Sequence, residues 1–275
     1  MNPLPALILG GGDLASGVAY RLHKAGYPLI ITEREQPLAL RRMVSFAEAV
    51  YTGRYTVEGI TACRVEDPQQ AQAALRRREI PVLVDPDFSR LRAWGWLGAA
   101  RLPILVDARM TKRPPEYPLD IAGLVIGLGP GFVAGENCHA VVETNRGHCL
   151  GRVYWQGSAE PDTGIPEAML KHQADRVLRA PADGVLRERV PLGVRVTAGQ
   201  VLAEVDGRPV QAPFDGVLRG MVHNGVRVSR GLKIGDVDPR DDPRYAALIS
   251  DKALAIGGGV LEAVLSAACY PPGRT

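Results

Sequence analysis

Four apolar residues in a row, Ala6 to Leu9, run into three glycines, Gly10 to Gly12. Apolar positions then recur at helical spacing through Leu14, Val18 and Leu22. This pattern predicts a buried strand, a tight turn and a helix. Leu29-Ile-Ile-Thr32-Glu33 reads as a second strand that ends in an acid, and Thr56 to Val65, with Gly59 in mid-run, as a hairpin or a kinked strand. Asp67 and Pro68 suit the N-cap and N1 positions of a helix carrying Ala71, Ala74 and Leu75. Pro81 to Asp85 and Leu102 to Asp107 are further short apolar runs ending in acids. Strands alternating with helices between residues 6 and 106 predict a mostly parallel sheet covered on both faces.

Beyond residue 120 the pattern changes. Leu124 to Gly135 is rich in glycine and nearly uncharged, His139 to Glu143 runs from a strand into a polar turn ending at His148, and Gly151 to Trp155 is the next strand. Residues 177–238 carry an internal repeat. Ala180-Pro-Ala-Asp-Gly-Val-Leu186 returns as Ala212-Pro-Phe-Asp-Gly-Val-Leu218, and Gly193-Val-Arg-Val196 returns as Gly225-Val-Arg-Val228. Glu204-Val205 returns as Asp236-Val237, all at an offset of 32 residues. Each unit is a set of short strands separated by Asp-Gly turns, and two units can close around one core. The doubled unit resembles the barrel-sandwich hybrid of biotinyl and lipoyl carrier domains. Their modified lysine has no counterpart in the hairpin Val205-Asp-Gly-Arg-Pro209, so the module reads as a docking domain. Ser250 onward returns to α/β character, with the triplet Gly257 to Gly259 standing before a helix that carries Val260, Val264 and Ala268 on one face. The expected architecture is α/β, a Rossmann-like parallel sheet domain with a smaller all-β module inserted near the C-terminus. Its divisions are residues 1–175, 176–238, and 239–275 returning as a helix to the α/β domain.

A helix N-terminus carries unpaired N–H groups and partial positive charge, so the turn at Gly10 to Gly12 is a candidate phosphate cradle. Gly10, Gly12 and Gly17 give G-x-G-x4-G, one residue longer than the commonest dinucleotide spacing. Glu33 lies 21 residues past Gly12, near the offset of a ribose-binding carboxylate. Arg34 beside it leaves NAD, NADP and other nucleotides open. Asp13 either joins the site or caps the first helix. Ligands in open α/β sheets gather at strand C-termini, which makes Asp107, Arg109 and Lys112 candidates. The turn with Asn145, Arg146 and His148 adds an amide, a guanidinium and an imidazole. Cys138, His139, His148 and Cys149 lack zinc-ligand spacing, so no metal is expected, and Cys149 beside His148 is a candidate reactive thiol.

The bulk numbers narrow the class. The chain has 275 residues, 46% of them hydrophobic and 23% charged, with a net charge of +3. That charge implies no broad nucleic-acid footprint. The absence of a long apolar run argues against a membrane span. No basic start marks a signal peptide, and the four scattered cysteines suit a reduced, cytoplasmic protein.

Taken together, several stretches resemble the accessory-protein family of the selenium-dependent molybdenum hydroxylase system. They are Gly12-Asp-Leu-Ala-Ser-Gly17, Val106-Asp-Ala-Arg-Met110 with Lys112-Arg113, Ile126-Gly-Leu-Gly-Pro-Gly-Phe132, Glu143-Thr-Asn-Arg-Gly-His148, Asp236-Val-Asp-Pro-Arg240 and Ile256-Gly-Gly-Gly-Val-Leu-Glu-Ala263. The resemblance spans nearly the whole chain. It implies a maturation factor whose partners are a client molybdenum hydroxylase and cofactor-assembly proteins, with self-association left open. No catalytic residue is assigned, and the ligand is expected to be NAD(P) or a molybdopterin nucleotide. The competing expectations are an NAD(P)-dependent small-molecule dehydrogenase and a non-catalytic docking scaffold.

Overall fold

The computed structural model describes residues 5–97, 102–162 and 175–269. Strand β1 (Ala6–Leu9) is buried at every position, because it is central and flanked on both sides. The glycine turn leads into α1 (Asp13–Lys24), and β2 (Leu29–Glu33) pairs parallel with β1, Ile8 opposite Ile31. A short helix, α2 (Ala49–Thr52), precedes the hairpin of β3 (Arg54–Val57) and β4 (Ile60–Val65). As its sequence predicts, α3 (Pro68–Arg76) opens with Asp67 Oδ1 accepting from Gln70 N at 2.7 Å and with Pro68 in the first turn. There follow β5 (Ile80–Val84), α4 (Ser89–Ala93), β6 (Ile104–Asp107), β7 (Leu124–Leu128), β8 (Val133–Ala134), β9 (Ala140–Val142), β10 (Val153–Tyr154) and β11 (Gly157–Ser158).

Nine of these strands form one sheet in the order β10-β9-β7-β6-β1-β2-β5-β4-β3, while β8 and β11 pair separately. Seven inner strands run parallel, and the edge strands β3 and β10 are antiparallel.

Residues 177–238 form eight strands: β12 (Val177–Arg179), β13 (Gly184–Glu188), β14 (Arg195–Val196), β15 (Val201–Val205), β16 (Arg208–Gln211), β17 (Gly216–Met221), β18 (Arg227–Val228) and β19 (Lys233–Asp238). Two antiparallel sheets result, β12-β19-β17-β14 and β16-β15-β13-β18. The 32-residue offset carries β12 to β16, β13 to β17, β14 to β18 and β15 to β19. The copies exchange strands, since β14 pairs with β17 and β18 with β13. Both sheets close on one core that includes Leu186, Leu202, Leu218 and Ile234. The last described elements are α5 (Arg244–Ala247) and α6 (Asp251–Cys269).

The expected Rossmann-like parallel domain with a biotinyl/lipoyl-like barrel-sandwich module is therefore corrected, for two physical reasons. First, the large sheet is mixed and only part of it is wound by its own crossovers. Between β6 and β9 the connections hold no α-helix. Glycine and proline fill that stretch, and both disfavour helix. The face over β7, β9 and β10 is covered instead by α6, from the far end of the chain. Second, the repeat is not a free-standing module. All six residues of β17 are buried, because Leu40 and α5 cover its outer side; Met221 N donates to Leu40 O at 2.9 Å.

Gly17 is corrected as well. A Cβ there would stand 2.4 Å from Ala253 O, and one at Gly257 would stand 2.5 Å from Gly17 O. These glycines let α1 and α6 pack backbone to backbone, so Gly17 is a helix-packing residue. No helix among the described residues is long and apolar enough to cross a membrane.

Candidate functional site

A cleft of about 1570 Å³ lies between the C-terminal ends of β1, β2, β5 and β6 and the sheet β12-β19-β17-β14, with the start of α6 at its rim. Among the described residues that line it are eleven arginines and lysines against six carboxylates. The whole chain has 33 basic and 30 acidic residues, so its small net charge is concentrated on one concave surface. Such focusing in a cleft with low-dielectric walls attracts anions more strongly than the net charge implies.

The glycine turn forms the floor. Gly10 takes φ +86°, a value costly for other residues, and donates to Thr32 O at 2.8 Å. Gly11 is locked: its carbonyl accepts from Ala47 N at 2.9 Å and from Ser16 Oγ at 3.2 Å, and its N–H donates to Glu33 Oε2 at 2.8 Å. Gly12 is open, with nothing within 4 Å of a Cβ built on it, and it is the N-cap of α1 without any side-chain cap. The first-turn N–H groups of α1 lack intrahelical partners, and Gly12, Asp13, Leu14 and Ala15 all line the cleft. Asp13 is not the cap. It occupies the first helical position, with its carboxylate 3.9 Å from Arg41 Nη1.

Glu33 lines the cleft beside the turn. Burial pushes its carboxyl pKa up, and the N–H groups of Arg34 and Gly11 partly offset this by bonding the charged form. Each oxygen has spent one acceptor site on backbone and keeps another for a hydroxyl donor.

Asp107 is 1% exposed and does not line the cleft. It clamps Arg109, accepting from Nε at 3.0 Å and Nη2 at 2.6 Å, while Tyr117 donates to Oδ2 at 3.0 Å. Burial alone would lower the Arg109 pKa, but the Asp107 carboxylate more than offsets it, and the guanidinium is held charged at the cleft. Lys112 also lines the cleft, paired with Asp162 at 2.6 Å.

The polar turn is organised by buried Glu143, whose oxygens accept from Thr144 N, Asn145 N and Glu160 N, each at 2.7 Å. This sets Asn145 and Arg146 on the rim. Asn145 Nδ2 donates to Glu160 Oε2 at 2.6 Å, and Arg146 Nη2 donates to Asp251 Oδ1 at 2.8 Å. Arg146 holds the Asp251 carboxyl down at about 2. His148 is exposed and lies outside the cleft, beyond the turn at Gly147. His139 is tied to the sheet, its Nδ1 accepting from Val125 N at 2.9 Å, and Cys138 is buried. Among the described residues no three His, Cys, Asp or Glu side chains are grouped to hold a metal.

Thus Gly10, Gly12, Asp13, Glu33, Arg109, Asn145 and Arg146 converge on one cleft, and Gly17, Asp107 and His148 do not. Sequence reasoning missed Arg41, Arg176, Arg219, Lys233 and Arg240, which line the opposite side. Their only sequence signal was acidic: Asp236 and Asp238 stand on a strand where buried carboxylates need cationic partners.

No family model matches the chain. It is 45% identical over 259 residues to the uncharacterized protein YqeB of Escherichia coli (strain K12), a match taking in 94% of this chain and 47% of YqeB. The chain thus spans about half the length of that curated relative. Among solved structures, a succinylglutamate desuccinylase/aspartoacylase from Rhodobacter sphaeroides shares 26% identity over 24% of this chain and 22% of its own, at a TM-score of 0.21. A succinylglutamate desuccinylase from Silicibacter sp. aligns over 86% of this chain and 84% of its own at 12% identity and a TM-score of 0.25. For an aspartoacylase family protein from Mesorhizobium loti the values are 85%, 84%, 12% and 0.26. Superpositions this loose establish no common fold.

Proposed function

We propose that this chain binds a nucleotide, or a cofactor with a nucleotide part, in the cleft above the glycine turn. The observation that carries the reading is the uncapped N-terminus of α1, reached through open Gly12, facing a cavity with eleven cationic residues. Glu33 keeps acceptor capacity for a ribose hydroxyl, and Arg109, preset by Asp107, offers a fixed guanidinium to a phosphate. Together with the stretches that resemble accessory proteins of selenium-dependent molybdenum hydroxylases, this favours a cytoplasmic maturation factor. Its cargo is a molybdopterin nucleotide and its partner the client hydroxylase. No catalytic step is assigned.

Calorimetric titration of the purified chain with NAD, NADP and a molybdopterin nucleotide tests the reading. Saturable binding of the last alone, lost in Gly12→Asp, supports it. Tighter binding of NAD or NADP, with turnover on a small substrate, supports a dehydrogenase instead. No binding by any of the three refutes a nucleotide site.

A further inference from the structure

The side of the cleft opposite the glycine turn carries charge that the nucleotide reading does not use. Arg176 precedes β12, Arg219 lies on β17, Lys233 begins β19, and Arg41 enters from the segment after β2; all four line the cleft. Arg41 is 7% exposed, and Arg176 and Arg219 are 8% exposed. Two carboxylates share the burden. Asp236 accepts from Arg176 at 2.9 Å and from Arg219, and Asp238 accepts from Arg219 at 3.1 Å and from Arg240.

Arg41 and Lys233 stand outside that network. Arg41 Nη2 spends its donors on the carbonyls of Tyr245, at 2.8 Å, and Leu248, at 2.9 Å. Its buried Nε has no partner among the described residues, and Asp13 is 3.9 Å away. The Lys233 ammonium opens into the cleft and makes no hydrogen bond or ion pair among the described residues. Desolvation lowers the pKa of both groups; Asp13 and Asp236 pull the other way in both, while Arg219 repels both and Arg176 repels Lys233. The four cations therefore lie within one another's fields. With Arg240, these cations outnumber the carboxylates beside them, Asp13, Asp236 and Asp238, so a further anion joining them is favoured.

We propose that Arg41, Arg176, Arg219 and Lys233 form a second oxyanion subsite. The ligand that spans from it to the glycine turn then carries at least two phosphate-type groups, as a nucleoside diphosphate or a dinucleotide does. Guanidiniums match phosphate oxygens in pairs, and a flexible ammonium adds a point charge. Asp13, at the start of α1, lies 3.9 Å from Arg41. The inference rests on the proposed function only for the nucleoside part of the ligand; the oxyanion subsite stands on its own residues.

Calorimetry of the full chain with inorganic pyrophosphate tests it, with orthophosphate as the comparison. The wild type should bind pyrophosphate saturably and more tightly than orthophosphate. Lys233→Glu should weaken pyrophosphate about tenfold or more, and Lys233→Arg should hold it within about threefold. Lys233 is exposed at a strand start, so both variants should melt as the wild type does. Absence of pyrophosphate binding, or equal binding by Lys233→Glu and wild type, overturns the subsite. Lys233-dependent pyrophosphate binding with no gain from any nucleotide upholds the subsite and overturns the nucleotide reading. Nucleotide binding that ignores Lys233 does the reverse.

Discussion

In the first copy of the repeat, the side chains of Arg189 and Glu204 pair at 2.9 Å, 53% and 29% exposed. In the second copy, Arg219 on β17 pairs with Asp236, the counterpart of Glu204, at 10% and 3% exposure, and Asp238 extends the chain to Arg240. The strands match one for one at 32 residues, so the backbone is not what separates the two. The sheet β12-β19-β17-β14 is covered by the Leu40 segment and α5, while its twin presents the Arg189–Glu204 pair to water. Water screens the first pair until it contributes little. Burial makes the second pair costly to form and far costlier to break. A duplicated pattern thus becomes a surface in one copy and a side of the cleft in the other, according to what packs over it.

Three measurements can break or sharpen this contrast. The largest effect is expected from Arg219→Met, which strips one partner from two buried carboxylates and should cost about 3 kcal/mol in urea unfolding. The same change at its repeat counterpart, Arg187→Met, should stay within about 0.5 kcal/mol. Equal losses would mean that burial does not distinguish the copies. Next comes a packing swap. Gly235 occupies the place that Ala203 fills in the first copy, and a Cβ on Gly235 would stand 2.5 Å from Gly220 O. Gly235→Ala should cost about 1–3 kcal/mol through overpacking, and Ala203→Gly about 1 kcal/mol through backbone entropy.

The smallest effect concerns acid. Burial alone would raise the Asp238 pKa, but Arg240 and Arg219 outweigh it and hold the carboxyl below the usual range; the Glu204 carboxyl is held down chiefly by Arg189. A carboxylate lowered in the folded state stabilises the fold above its unfolded pKa, and that stability is lost as pH falls through the folded value. Melting curves taken downward from about pH 5 should therefore flatten in Asp238→Asn, and much less in Glu204→Gln. A flatter curve in Glu204→Gln would invert the comparison.

The large sheet was legible where apolar runs were continuous. β1, β2, β5 and β6 fall on the runs read from sequence, and Asp67 and Pro68 open α3 as expected. The strand at residues 151–155 and the hairpin near residues 56–65 were read, but not their antiparallel place at the sheet's edges, because the choice of partner strand is not local. Of the candidate site, the glycine turn and Glu33 were readable because their spacing is local. Gly17 misled because a glycine needed for helix contact and one needed for a phosphate look alike in one dimension. Asp107 misled because a strand-end acid can face a ligand or hold the arginine two residues on.

By itself the sequence determined the strand and helix runs, the glycine turn and the strand-for-strand duplication, because periodicity, turn chemistry and repeat spacing act over a few residues. Only the tertiary structure decided that α6 rather than a crossover covers β7 and β9. It alone decided that one of the two sheets of the repeat is covered, and that Arg41, Arg176, Arg219 and Lys233, up to 192 residues apart, share one cleft. Those outcomes depend on which surfaces exclude water from which charges, and that is settled only when distant segments meet.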